Sequence, residues 1–448
     1  MALSGVEIFK HLPKTNCKEC GLPTCLAFAM KLAAKQANLD SCPYVSKEGK
    51  EFLSSASAPP IRPICIGHGD GSVKLGEETV LFRHEKKFVN PCALALSIDD
   101  SLPDTEILKR IDEVKTSEIE RVGQKLRVEV ISVGHTSSDP SRFGAVVKLI
   151  RDNALKIPLI LNSKDPSAIE SALPHCKGAR PVIYAATKDN AEAMVKLAKE
   201  NSAILGVYAE GLDALSSLTE KIKGMGLDDL VIDPGAGTPR RMIEDYTMIR
   251  RSAIKKNFKP LGYPIITFTS SKDVFAESMK ASIGIAKYAS IIVLDSIERW
   301  KMLPLITLRQ NIYTDPQVPM QVEQKIYKIG DANEKSPLLI TTNFSLTYFI
   351  VQGEVENSKV PCWLAIMDVE GLSVLTAWAA GKFTAPKIAS FILESGIGDK
   401  VAHKELIIPG YVSILSGALE EKLNSDWKVV VGPREANALP AFLKNRAA

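Results

Sequence analysis

Cys17, Cys20, Cys25 and Cys42 follow the spacing C-x2-C-x4-C-x16-C, in the segment TNCKECGLPTCLAFAMKLAAKQANLDSCPY. Three thiols fall within nine residues and the fourth returns one helix length later. Thiolates are soft ligands, and four of them so arranged can hold an iron–sulfur cluster. Structural zinc commonly pairs two C-x2-C halves, and the second half is missing here. A [4Fe-4S] cluster is therefore the expected occupant, with a zinc knuckle as the alternative. Gly21 and Pro23 lie inside the ligand loop, where a glycine permits the sharp turn a bulky centre demands. Residues 24–37 carry apolar side chains at helical spacing, so a short helix should lead out and bring Cys42 back. Cys65, Cys92, Cys176 and Cys362 sit singly, mostly beside apolar runs, and read as buried thiols.

A second set of residues lies at the other end of the chain. From Pro337 the apolar segments LLIT, CWLAIMD, ELIIP and WKVVVG each run into a short loop and then a helix. This pattern predicts an open α/β sheet of about four parallel strands, and such sheets bind ligands outside the carboxyl ends of their strands. That edge contains Thr341, Thr342, Asn343, Glu370, Gly371, Leu372, Ser373, Gly410, Gly432 and Glu435. It has few charges and no G-x-G-x-x-G, which disfavours a nicotinamide or flavin dinucleotide. A large, mostly neutral ligand with amide edges would suit it. Ordinary βα loops of any such domain would account for the same residues.

Between these two sets the chain must build its scaffold. Its 448 residues suggest about three domains. A composition 45% hydrophobic and 24% charged is that of a globular protein with real cores. The net charge of +4 is too small for this length to indicate nucleic acid or a membrane surface as partner. The N-terminal segment lacks the pattern of a secretory signal, and no apolar run approaches the ~20 residues of a spanning helix, so a cytoplasmic location is expected. Ser54 to Pro63 reads SSASAPPIRP, a semi-rigid tether. The following PICIGHGDGSVKLGEETVLF reads as a β-hairpin with a glycine-rich turn and TVLF as its second strand, and only weakly as a phosphate loop.

From residue 92, short apolar strands alternate with amphipathic helices: CALALSI, LRVEVIS, IPLIL, PVIYAA, AILGVYA, LVID, PIITF and SIIVL. Such β-α units over about 230 residues have the arithmetic of a closed (β/α)8 barrel, whose chemistry sits at the C-terminal strand ends. The candidates there are Asp99, His135, Asn162, Asp233, Thr267 and Asp295. Asp233-Pro-Gly-Ala-Gly237 joins a strand directly to a helix and could hold an anion, but a tight turn with Asp as helix cap is the favoured reading. The expected organisation is α/β throughout: a cluster domain over 1–54, a linker over 55–63, a TIM barrel over 64–328 and a Rossmann-like α/β domain over 329–448.

This combination closely resembles the large (gamma) subunit family of the corrinoid iron–sulfur proteins of anaerobic acetyl-CoA synthesis. The resemblance covers essentially the whole chain. Its most specific parts are the Cys17/Cys20/Cys25/Cys42 spacing and the stretch TTNFSLTYF…DVEGLSVLTAWAAGKF. It implies a cobalamin-type corrinoid in the C-terminal domain and a smaller barrel subunit as heterodimer partner. It further implies a methyl carrier rather than a stand-alone catalyst. Cobalt(I) accepts methyl from methyltetrahydrofolate through a separate methyltransferase, methyl-cobalt(III) delivers it to acetyl-CoA synthase, and the cluster rescues cobalt(II). By position, Thr342 and Tyr348 should contact the corrin or its nucleotide tail. Gly371, Leu372, Ser373, Val374, Leu375 and Thr376 should line the same pocket, with Thr376 nearest the lower face of cobalt. Gly432, Glu435 and Ala436 should close it. The only histidine after residue 175 is His403, outside any D-x-H-x-x-G motif. A base-off corrinoid without a protein axial ligand is therefore expected. A self-contained pterin-dependent methyltransferase and a plain electron-transfer protein are the competing readings.

Overall fold

The cysteine-rich segment folds around a small core of its own. The computed structural model describes residues 4–33, 36–50, 53, 59–121 and 124–447. Helix α1 (Gly5–Lys10) starts with a capping box: the Ser4 hydroxyl accepts from the Glu7 amide while the Glu7 carboxylate accepts from the Ser4 amide. Helix α2 (Cys25–Ala33) follows Thr24, whose hydroxyl accepts from the Ala27 amide. The two helices cross so closely that a Cβ on Gly5 would lie 2.4 Å from the Met30 sulfur. Ile8, Leu12, Phe28, Ala29, Val45 and Leu53 form the apolar centre, joined by Cys25 and Cys42. Helix α2 ends at Ala33, and residues 34–35 of the expected 24–37 helix lie outside the described residues. Much of the linker expected over 55–63, residues 55–58, also lies outside them. Its far end is pinned: the Arg62 amide donates to Gly262 O and Glu77 N donates to Ile61 O.

Strands β1 (Ile64–Ile66) and β2 (Val73–Leu75) pair antiparallel. The hairpin is the one the sequence indicates, but its second strand is VKL, not TVLF at 79–82. At Gly76, φ is +76° and a Cβ would lie 2.1 Å from Arg62 O, so the chain turns away there and leaves the ladder. The glycine-rich turn lies against the amino ends of barrel strands. A Cβ on Gly71 would strike Lys156 O at 2.0 Å, and one on Gly67 would strike Pro158. These glycines serve close packing: Ile64, Ile66 and Leu75 complete the inner core of the barrel.

The barrel strands begin with β3 (Ala93–Asp99). A hairpin of β4 (Ile119–Arg121) and β5 (Gln124–Leu126) follows. Then come β6 (Val130–Gly134), β7 (Leu159–Asn162), β8 (Val182–Ala186), β9 (Ile204–Tyr208), β10 (Leu230–Asp233), β11 (Ile265–Phe268) and β12 (Ala289–Leu294). β3 and β6 to β12 close into one parallel barrel in chain order, as expected. The second strand starts at Val130 rather than near 126, because residues 124–126 pair with 119–121 instead. Small and branched side chains such as Ala93, Ala95, Val130, Ile160, Val182 and Ile204 fill the interior, so the barrel is packed rather than a pore.

The C-terminal sheet contains β13 (Lys325–Ile329), β14 (Leu338–Thr342), β15 (Cys362–Met367), β16 (Glu405–Ile408) and β17 (Lys428–Val431), in the order 13-15-14-16-17. The four expected strands are parallel, and β13 adds an antiparallel edge. β13 lies on the barrel side of the expected 328/329 boundary yet pairs with β15 along its full length. The chain divides into two compact units. One comprises Met1–Leu81, Val89–Val114 and Glu129–Arg309; the other comprises Phe82–Phe88, Lys115–Val128 and Gln310–Ala448. Among the described residues, no helix is long and apolar enough to cross a membrane.

Candidate functional site

The ligand loop between α1 and α2 has an unusual backbone. Lys14, Asn16 and Lys18 all adopt positive φ (57°, 50° and 67°), followed by Gly21 at 77°. Each non-glycine residue held there costs on the order of 1 kcal/mol or more, so packing or a bound group must sustain it. Alternation of left-handed with ordinary residues turns successive amides toward one concavity, the geometry of many iron–sulfur sites. Asn16 ties this loop to α2: its Oδ1 accepts from the Cys25 amide at 2.8 Å, and its own amide donates to Cys25 Sγ at 3.4 Å. A sulfur that receives an N–H suits a metal-bound thiolate. Cys25 and Cys42 are buried, Cys20 is half-buried and Cys17 is exposed. The Tyr44 hydroxyl donates to Glu19 at 2.8 Å. That bond and Glu19's charge raise the phenol's pKa. Among the described residues no three His, Cys, Asp or Glu side chains converge on a single metal-ion position. The fit to a cluster rests on the donor set and the loop: four thiols at ligand spacing, with positive-φ residues on both sides of Cys17 and Asn16 bonded to Cys25.

The remaining cysteines behave differently. Burial pushes the Cys92 and Cys362 thiols up to about 12 and Cys176 to about 11, so they stay protonated and packed. Cys65, on β1, is half-buried rather than buried.

At the carboxyl edge of the C-terminal sheet, order and register open a cleft. The parallel strands run 15-14-16-17, so the connection after β14 leads to one side and the later ones to the other. The switch point between β14 and β16 is where such sheets bind ligands. Only Leu338–Leu406 and Leu339–Ile407 pair across it, whereas β14 pairs with β15 through Thr342–Met367. The strands therefore splay toward their carboxyl ends. They leave a cavity of about 140 Å³ with Thr341, Val374, Pro409, Tyr411, Gly432 and Ala436 in its lining. The backbones around it approach closely: a Cβ on Gly410 would lie 2.5 Å from Gly432 O. Tyr411 donates to Glu435, and this bond raises the tyrosine's pKa.

Asn343 organises the neighbouring loop. Fully buried, it accepts from the amides of Val369 and Gly371 at 3.1 and 3.0 Å and donates to Asp368 at 2.8 Å. Glu370 and Gly371 both take positive φ there, and a Cβ on Gly371 would lie 2.8 Å from Gln321 Cγ. The loop delivers Ser373, whose hydroxyl meets that of Thr376 at 2.9 Å. Leu372 and Val374 pack on the core, while Leu375, Thr376 and Trp378 face outward. Thr342 is fully buried at the end of β14, and its hydroxyl has no partner. An orphaned hydroxyl costs about 1–3 kcal/mol, a cost a bound group could relieve. Strand alternation puts Thr342 on the face of Leu338 and Ile340, toward the helix Val374–Ala379. Tyr348 lies on the opposite face, against Tyr327 at 4.9 Å, where burial pushes its pKa up to about 12. The edge thus gathers Val374, Gly432, Glu435 and Ala436 at the cavity and its mouth, and Thr342, Gly371 and Thr376 beside it. Tyr348 belongs to the packing layer beneath β13 and β15.

Sequence reading placed Asn343 at this edge without seeing its part, and missed Thr347, Tyr411 and Arg434, which line the cavity. Polar residues directly after strands were the available signal.

The barrel mouth is more tightly knit. Asp233 is buried, accepting from Tyr184 at 2.7 Å and from the Gly235 amide at 2.8 Å. Burial nonetheless pushes its carboxyl above the ordinary value. The turn is tight as expected, but Asp233 does not cap the helix: its side chain is turned to its own turn and to Tyr184, and Thr238 caps Pro239–Lys255 by accepting from the Arg241 amide. His135 bonds Asp100 at 2.8 Å. Asp100 also receives Ser137 Oγ and the amides of Thr136 and Ser137; burial opposes its charge, but these bonds hold its carboxyl below the ordinary value. Burial and the nearby Asp295 raise Asp99. Thr267 faces the helix Val274–Ala286 and bonds Tyr246, so it does not belong to the mouth.

Comparison with known proteins was made against this geometry. A model of the CO dehydrogenase/acetyl-CoA synthase delta subunit family matches residues 63–443, and an Fe-S cluster model matches residues 12–44. The chain is 46% identical to the corrinoid/iron-sulfur protein large subunit of Moorella thermoacetica, over 99% of both chains. The chain belongs to the CO dehydrogenase/acetyl-CoA synthase delta subunit family. Other relatives are acetyl-CoA decarbonylase/synthase complex gamma subunits. That of Methanopyrus kandleri is 35% identical over 99% of this chain and 97% of its own. That of Archaeoglobus fulgidus is 36% identical over 98% of each. These full-length relatives are large or gamma subunits, in agreement with the resemblance read from the sequence.

Proposed function

We propose that this chain is the large subunit of a corrinoid iron–sulfur protein and carries methyl groups for acetyl-CoA synthesis. The donor is methyltetrahydrofolate, through a separate methyltransferase; the acceptor is acetyl-CoA synthase. A small barrel subunit completes the heterodimer. When bound, the corrinoid supplies a cobalt that takes up and releases methyl, and the [4Fe-4S] cluster supplies single electrons that restore cobalt oxidised by accident.

The observation that carries this reading is the splayed β14/β16 edge in a chain that also bears the four-cysteine loop. The chain's own residues have definable tasks. Asn343 holds the 368–373 loop against the strand ends, so the helix Val374–Ala379 presents an outward row of Leu375, Thr376 and Trp378 to a flat apolar ligand. The Thr342 hydroxyl offers one hydrogen bond to an amide rim. Thr376 would face the lower side of the metal as a neutral, weak donor. His403 supports a base-off state: its ring nitrogens engage Ser336 O and the Glu405 amide, beside the amino ends of β14 and β16 and away from the edge. Cys17, Cys20, Cys25 and Cys42 would hold the cluster, with Asn16 fixing the loop.

An absorption spectrum of the anaerobically purified heterodimer tests this. Corrinoid bands on a broad cluster shoulder are expected. A cluster shoulder alone would leave an electron-transfer protein. Binding of methyltetrahydrofolate by the chain without a partner enzyme would favour a self-contained methyltransferase.

A further inference from the structure

The cluster domain is electrostatically unlike the rest of the chain. Residues 1–54 contain seven lysines against five carboxylates, half of the net +4 in about an eighth of the length. The charge is not spread evenly around the cysteines. Cys25 and Cys42 are shut into the apolar core, and Cys17 alone among the four is exposed. Lys14 and Lys18 flank it, both exposed and both held in place by a positive-φ backbone. Lys14 also rests over the Phe9 ring, 5.7 Å from its centroid. The acid in this loop, Glu19, is turned to the Tyr44 hydroxyl. Tyr44 leads into an open groove of about 670 Å³ lined also by Lys10, His11, Pro13, Ser46 and Glu48. A cluster held this way has one corner near solvent, flanked by Lys14 and Lys18, beside a recess.

An electron that the cluster gives to cobalt must be replaced from outside. We propose that the Cys17 corner, with Lys14 and Lys18 as its rim and the Tyr44 groove beside it, is the docking surface for an acidic ferredoxin-type protein that re-reduces the cluster. The proposal rests on the cluster assignment made above. One electron passes from the donor's reduced iron–sulfur centre to the oxidised cluster; the donor is oxidised by one electron, no bond is made and no proton moves. The lysines act on encounter: complementary charge raises association rates and loses that effect with added salt. Exposure of Cys17 matters because tunnelling needs a short path through few atoms; Cys25 and Cys42 are buried and Cys20 is half-buried.

The test uses the intact heterodimer with its cofactors and a reduced, acidic two-cluster ferredoxin as probe. Stopped-flow bleaching of the chain's iron–sulfur absorbance gives the rate of cluster reduction. Lys14→Glu/Lys18→Glu should lower the second-order rate at low ionic strength about 10-fold or more, and the deficit should vanish near ~0.5 M salt. Lys18→Gln should give a smaller loss. Photoreduction by a neutral deazaflavin, which needs no docking, should proceed at the same rate in all variants, and the cluster's reduction potential should be unchanged. Bleaching by ferredoxin at the wild-type rate would overturn the proposal. So would an equal slowing with deazaflavin or a lowered potential, which would make the lysines tuning groups. A defect confined to the later cluster-to-cobalt step would mean the face serves the corrinoid domain instead. A wild-type protein without iron–sulfur absorbance would remove the functional reading itself, an outcome separate from these.

Discussion

Two carboxyl edges of parallel strands occur in this chain, and they are finished in opposite ways. At the barrel mouth two of the acids are enclosed by donors: Asp233 by Tyr184 and Gly235, Asp100 by His135, Thr136 and Ser137. At the C-terminal sheet the ladder between β14 and β16 stops early, a cavity opens, and Thr342 keeps an unused hydroxyl. The same topological position yields a brace in one unit and an open cleft in the other. Polar residues at strand ends do not by themselves announce a site; what distinguishes the C-terminal edge is free volume, with an unspent hydroxyl at the end of the same strand.

Substitutions that close the open edge or open the closed one should break this contrast. The largest effect is expected from Gly432→Leu. Its Cβ would already lie 3.0 Å from Ile407 Cγ2 and Ile408 O, and the side chain would enter the cleft. Corrinoid content after anaerobic reconstitution should fall about 100-fold or more, with a stability loss of about 1–3 kcal/mol from overpacking. Next comes Asp100→Ala, which strands two amides, a hydroxyl and His135. Denaturant unfolding should show a loss of about 3–5 kcal/mol at neutral pH with corrinoid content per folded chain unchanged.

The pH dependence of the braces should differ in sign. Asp100 has its carboxyl lowered on folding, so its contribution is complete above the ordinary 3.8 and fades as pH falls through the lower folded value. Asp233 has its carboxyl raised, so its contribution is complete below 3.8 and drains as pH climbs through the folded value. Asp233→Asn should therefore cost most in acid and least at neutral pH, the reverse of Asp100→Asn, in thermal melts across that range. The smallest effect belongs to Thr342→Val. Removing the orphaned hydroxyl should stabilise the apo chain by up to about 1 kcal/mol while weakening corrinoid binding several-fold.

Much of this architecture was legible in the sequence because burial leaves strong marks. All eight barrel strands are apolar runs, since both faces of a parallel barrel strand are covered. β13 escaped notice because KIYKI alternates with lysine, as an edge strand does. The second barrel strand was begun near 126 instead of at Val130 because the pairing of 124–126 with 119–121 depends on a local hairpin that periodicity does not reveal. The cysteine set stood out because four thiols at this spacing suit a cluster. Tyr348 looked like a ligand contact from its place in a distinctive stretch, yet its ring packs with Tyr327. The cleft itself could not be read: it arises from where the β14–β16 ladder ends, a matter of register between strands some seventy residues apart.

Equilibrium binding of cobalamin to the corrinoid-free full-length heterodimer tests the central contrast most directly, comparing wild type with Val374→Trp at the sheet edge and Asn162→Leu at the barrel mouth. Both can be followed by quenching of intrinsic fluorescence. The account predicts that Val374→Trp loses at least about 10-fold in affinity, roughly 1.4 kcal/mol, while Asn162→Leu binds as wild type does. Wild-type affinity in Val374→Trp, or a loss confined to Asn162→Leu, would contradict it.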